Sequence, residues 1–183
     1  MLMKLAVSLL ALSVPGALAA QHTHAPAPAQ GQGGAQMPES MRIEHDHIHH
    51  TLEAATQAPG AVGAAARELA AVLGPHFERE NQIALPPLGA LPILARGDMP
   101  ADADVILAMT DSLRAELPHM LEEHVQIDAA AKKLEAVARE YGAAEAERMA
   151  SELQLHARTE QEVTYPTALL IGDLIRARRG QQH

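Results

Sequence analysis

The 183-residue chain is 48% hydrophobic but only 2% aromatic, has a formal charge of −9 and contains no cysteine. An acidic chain with almost no aromatic side chains is a poor match for nucleic acid or an anionic lipid surface. Without cysteine there are no disulfides, thiolate metal sites, thiol catalysis or lipid-modified cysteine anchor. The core must be built from Leu, Ile, Val, Met and Ala, a palette that suits helices packed side by side better than sheets.

The first segment reads as an export signal. Met1–Lys4 carries one positive charge, Leu5–Leu12 is apolar, and Ala17-Leu18-Ala19 is a small-x-small cleavage pattern. Residues 1–19 are therefore expected to be a signal peptide cleaved near Ala19-Ala20, leaving a secreted or periplasmic protein with no membrane attachment. No twin-arginine pair is present, which favours export as an unfolded chain. Residues 20–38, rich in Gln, Ala, Pro and Gly with His22 and His24, read as a flexible linker.

Four apolar-periodic segments follow, at about 39–57, 61–85, 101–141 and 143–178. They are separated by Pro59-Gly60, by a Gly- and Pro-rich loop from Pro86 to Pro100, and by Gly142. Residues 39–180 are thus expected to form one all-α domain, a four-helix bundle. Bends are expected at Gly74-Pro75, Pro118 and Pro166. The cluster Arg176, Arg178 and Arg179 ends the last segment, where cations favour the helix dipole.

Each segment carries a buried stripe at spacings of three and four. The stripes read Met41, His45, Ile48, Leu52; Leu69, Val72, His76, Glu80, Ile83; Leu113, Leu117, Met120, His124, Ile127; and Met149, Leu153, His156, Glu160, Val163. A lone histidine on such a stripe is ordinarily a hydrogen-bonded core residue. Four stripes with one histidine each, and two with a glutamate besides, bring costly polar groups into one interior, and a cation is the common partner that would hold them.

The bare His-x-x-x-Glu spacing is weak, because His49/Glu53 and His119/Glu123 show it too. The repeat is more specific. Glu44-His45-x-x-Ile48 matches Glu123-His124-x-x-Ile127, and His76-x-x-x-Glu80 with Pro86 matches His156-x-x-x-Glu160 with Pro166. His124 follows His45 by 79 residues and His156 follows His76 by 80. A pseudo-two-fold site follows, with two metals, each holding two imidazoles, bridged by both glutamates and by an oxide or hydroxide. Histidine with carboxylate and no sulfur suits iron or manganese and tolerates zinc.

On these motifs, together with Tyr165-Pro166, the chain from Glu39 to about Asp173 resembles the hemerythrin family in its His-His-Glu cation-binding branch. The resemblance implies an up-down bundle around a non-haem di-iron centre with His45, His76, Glu80, His124, His156 and Glu160 as ligands. Oxygen-carrying hemerythrins bring five histidines, with His-x-x-x-His on the third helix and aspartate on the fourth. Here those places hold His124-x-x-x-Asp128 and Glu160, a departure that touches oxygen carriage more than fold or metal. His49, one turn beyond His45, is a further candidate ligand: either a fifth imidazole or a residue outside the centre. His47, His50 and His119 read as surface residues, and Tyr165 as packing at a helix bend. Three functions stay open: binding of O2 or NO or buffering of iron; a di-iron oxidase or peroxidase; and zinc, manganese or copper handling.

Overall fold

The computed structural model describes residues 33–181, so the signal peptide and most of the linker lie outside the described residues. The rest is helical: α1 (Glu39–Thr56), α2 (Gly60–Ile83), a 3-10 turn (Pro86–Ala90), α3 (Leu91–Ala95), α4 (Ala103–Tyr141), α5 (Ala144–Thr159), a π turn (Glu160–Thr164) and α6 (Tyr165–Gly180). The π turn joins α5 and α6 into one continuous rod. Four long elements pack against one another, α1 on α2 and α5, α2 on α4, and α4 on both α5 and α6. Among the described residues no helix is long and apolar enough to cross a membrane.

Helix boundaries follow the local chemistry. Gly142 ends α4 at φ 71°, the left-handed conformation that glycine adopts without steric cost. Pro75 and Pro118 lie at exposed positions inside α2 and α4, where burial of Leu73 and His76, and of Leu113 and Met120, in the adjoining turns offsets one missing backbone hydrogen bond. The Gly- and Pro-rich stretch after Pro86, read from sequence as a loop, instead forms the 3-10 turn and the short α3. Its Leu88, Ile93 and Leu94 are buried. Burial of those apolar side chains drives the stretch into regular structure.

Residues 33–38, read as the end of a flexible linker, are packed. Backbone N–H groups of Gly34 and Ala35 donate to Asp102 (2.6 and 2.9 Å), and Met37 lies against the core. The Asp102 carboxylate fixes this stretch, a contact no local pattern announces.

The apolar core is divided. One cluster contains Ile48, Leu52, Leu69, Leu73, Ile127, Leu134, Met149 and Leu153. The other contains Ile83, Leu85, Leu113, Met120, Tyr165 and Ile171. On α4 and on the α5–α6 rod the buried His and Glu residues fall in sequence between the two sets; on α2 Glu80 does so, and on α1 His45 lies between Met41, packed against the second set, and Ile48 of the first. A polar layer is thereby enclosed by apolar side chains above and below.

The π turn shifts the last stripe. The α-helical spacing predicts Val163 as buried, but it is 57% exposed, while Thr164 and Tyr165 are buried. A π turn holds one more residue than an α turn, so every later side chain advances around the rod.

Candidate metal centre

His45, His76, His124, His156, Glu80 and Glu160 come together in the polar layer, each 5% exposed or less. They form two groups that share both carboxylates. His45 and His156 face Glu80 and Glu160 on one side, the A half; His76 and His124 face them on the other, the B half. Within each group the ligating atoms lie within 4.8 Å of one another.

In the A half, His156 Nε2 is 2.9 Å and His45 Nε2 3.5 Å from Glu160 Oε1, and His45 Nε2 is 3.8 Å from Glu80 Oε2. None of these four atoms makes an aligned hydrogen bond, although all are buried. In the B half, His76 Nε2 is 3.6 Å from Glu80 Oε1 and His124 Nε2 3.5 Å from Glu160 Oε2.

Carboxylates of the Glu-His pairs hold the outer ring nitrogens. Glu123 Oε2 meets His76 Nδ1 at 2.8 Å, and Glu44 Oε1 meets His156 Nδ1 at 3.2 Å. Each glutamate thus serves a histidine on another helix rather than its own neighbour. This is the carboxylate–histidine arrangement that fixes a ring and its tautomer so that Nε2 presents a lone pair to a metal. His124 Nδ1 takes Gln161 Nε2 at 2.8 Å, and the His45 ring stacks on Phe77 with centroids 4.0 Å apart.

Burial and mutual proximity set the protonation of the metal-free cluster. Glu80 is raised above the ordinary carboxylate range by burial and by the charge of Glu160. Burial would raise Glu160 too, but the close approach of the His124, His156 and His45 imidazoles holds it well below that range. Burial opposes charge on His156, yet its contacts with Glu160 prevail and its pKa rises to about 9. Burial opposes charge on His76 as well, and its pKa is raised by Glu80, Glu123 and Glu160 acting together. The cluster stores protons that a cation must displace.

Among the described residues, the other histidines stay outside. His49, the candidate fifth imidazole, is exposed and groups with His50 and Glu53 on the surface of α1. Asp128 pairs with Lys132. His119 is exposed and contacts the outer face of Glu123 at 3.2 Å.

Tyr165 is placed differently from its sequence reading as a bend-packing residue. It is 1% exposed. Its hydroxyl donates to Glu80 Oε1 at 2.5 Å and stands 3.3 and 3.2 Å from Nε2 of His76 and His124. The phenol oxygen thus lies among the donors of the B half. Burial, then the charges of Glu80 and Glu160, push its pKa up, so the metal-free phenol is neutral. In an α-helix residue 165 would lie about 140° around from residue 160. In the π turn its N–H instead bonds Glu160 O, five residues back, which returns it to the same face. The available signal was Pro166, which has no N–H to continue the ladder. The first half shows the same widening: Leu85 N–H bonds Glu80 O just before Pro86.

No family model, curated protein or solved structure significantly matches the chain. Fold and site together define an all-helical protein with a buried His/Glu cluster at metal-binding distances.

Proposed function

We propose that this chain is an up-down four-helix bundle of hemerythrin-like design holding a non-haem di-iron centre, and that it binds O2 or NO or buffers iron outside the cytoplasm. The observation that carries the reading is the pair of two-histidine groups sharing Glu80 and Glu160 in a buried layer. The contacts support a pseudo-two-fold plan. His45 and Glu44 in the first half correspond to His124 and Glu123 in the second, and His76–Glu123 corresponds to His156–Glu44.

The donor set fits a cation. His45 Nε2, His156 Nε2, Glu80 Oε2 and Glu160 Oε1 are buried without a hydrogen-bond partner, a costly state that coordination would relieve. Nitrogen and carboxylate oxygen without sulfur suit iron or manganese before copper(I). Bound iron would supply a coordination position for a small ligand. The chain's own residues supply the rest. Glu44 and Glu123 orient imidazoles, Glu80 and Glu160 offer one oxygen to each half, and the two apolar clusters exclude water.

A second reading, a di-iron oxidase or peroxidase, draws on Tyr165, an oxidisable side chain among the B-half donors. The experiment is metal content per chain together with the near-ultraviolet spectrum, followed by addition of azide and of peroxide. About two irons, oxo-bridge bands and a stable azide adduct are expected. Catalytic loss of peroxide moves the protein to the oxidase reading, and a single zinc or manganese moves it to metal handling. Glu160→Gln is expected to abolish the paired stoichiometry; full metal content in that variant rules the site out.

A further inference from the structure

The two halves of the cluster are built from matching residues, yet their surroundings differ. Over the A half a cleft of about 250 Å³ opens between α1 and α5. Glu44 and Ile48 form one wall, Thr159 and Thr164 the other, and His156 and Glu160 lie among the lining residues. The four buried atoms without hydrogen-bond partners named above all belong to this half.

Across the molecule, α2 and α4 flank the B half. There Arg79 of α2 clamps Glu116 of α4 through two guanidinium nitrogens. Thr159 follows Arg79 by 80 residues, the same offset that relates His156 to His76. A short hydroxyl therefore stands on the A side where a long clamped side chain stands on the B side. Inside, the Tyr165 hydroxyl lies among the B-half donors, and the residue 80 positions earlier is Leu85, which has no polar atom to offer the A half. A second surface cavity borders His124, lined by Val125, Asp128 and Gln161. Unlike the α1–α5 cleft, this cavity does not reach a shared glutamate: Gln161 covers His124 Nδ1, and Glu160 is not among its lining residues.

We propose that the centre is functionally one-sided: a neutral diatomic molecule or a small linear anion enters through the α1–α5 cleft and binds at the His45/His156 half, while Tyr165 closes the His76/His124 half. The proposal rests on the metal-centre reading above and adds which half is open and by what route. A two-fold centre with equivalent halves would take ligand on either side. One phenol and one ion pair, each present in a single half, remove that equivalence.

Azide is the probe, followed by stopped-flow absorption on the metal-loaded chain, with metal content measured first. Thr159→Trp is expected to slow azide association roughly tenfold or more with metal content unchanged. Val125→Trp, at the His124 cavity, is expected to leave the rate within about twofold. Thr159→Arg, which copies the residue at the matching B position, serves as the second blocking variant should the tryptophan disturb folding. Tyr165→Phe keeps the ring but removes the oxygen, and is expected to raise azide stoichiometry from about one to about two per chain. Unchanged rates in both Thr159 variants, slowing by Val125→Trp instead, or a stoichiometry that ignores Tyr165→Phe overturns the proposal while the metal pair stands. Absence of two metals, seen before azide is added, overturns the metal-centre reading and this proposal with it.

Discussion

His156 meets two carboxylates, Glu44 at Nδ1 and Glu160 at Nε2, and this sets how the metal-free fold responds to pH. Its pKa is raised from 6.5 to about 9, with the Glu160 contact outweighing burial. A raised histidine stabilises the fold fully below its unfolded pKa and loses that contribution as pH rises through the folded one. Glu80, raised by burial and by the charge of Glu160, acts in the same direction, because its buried carboxyl must ionise as pH climbs. Thermal unfolding of the metal-free chain should therefore show a falling midpoint between about pH 6.5 and 9. Metal competes with these protons, so apparent metal affinity should rise across the same window, and calorimetry in buffers of different ionisation enthalpy should detect proton release. The outer carboxylates matter as well. Glu44→Ala or Glu123→Ala frees a ring nitrogen that now has a carboxylate partner, and either should weaken metal binding about 10–100-fold in a chelator competition titration.

At the scale of elements, the decisive feature is the π turn between α5 and α6. Six residues beyond each shared glutamate comes a proline, Pro86 or Pro166, and in both halves the glutamate carbonyl is reached by the N–H five residues on. In the first half the helix ends there. In the second it continues, and the added residue brings Tyr165 inward while turning Val163 out. Beyond the turn, α6 approaches α4 closely at Gly172. A Cβ added there would lie 2.3 Å from Thr110 Oγ1, and Thr110 is fully buried. Gly172→Ala should therefore destabilise the fold by about 1–3 kcal/mol, read as a lowered denaturant midpoint. Adding Thr110→Ala should recover part of the loss, because the clash and its relief share one contact.

For the whole molecule, a polar layer between two apolar clusters makes the centre part of the core rather than a site grafted on a surface. Metal bound only by the folded chain adds stability by mass action, about 2.7 kcal/mol at a free concentration one hundred times the dissociation constant. Removing it with a chelator should lower the thermal midpoint by several degrees, and re-adding metal should restore it. Glu80→Gln should shrink this difference, since it removes a donor common to both halves.

Much of this architecture was legible in the residues. Periodicity and the Gly and Pro punctuation locate the long helices to within a few positions, because burying one face in a bundle imposes an α-helical period over many residues. The ligand candidates follow from the same stripes, since a histidine at a core position must find a partner. The Glu-His repeat was visible, but its use was not: Glu44 and Glu123 reach histidines on other helices, and only packing decides which ring each carboxylate meets. His49 shows the converse, because one turn along α1 the stripe has moved on and leaves the residue at the surface. Tyr165 escaped a reading at constant helical period, since its inward position depends on one added residue in a π turn. The difference between the two halves likewise belongs to the tertiary structure. Sequence fixes which residues recur at offsets of 79 and 80, but whether a matched position clamps, fills or opens depends on the distance between helices that are neighbours only after folding.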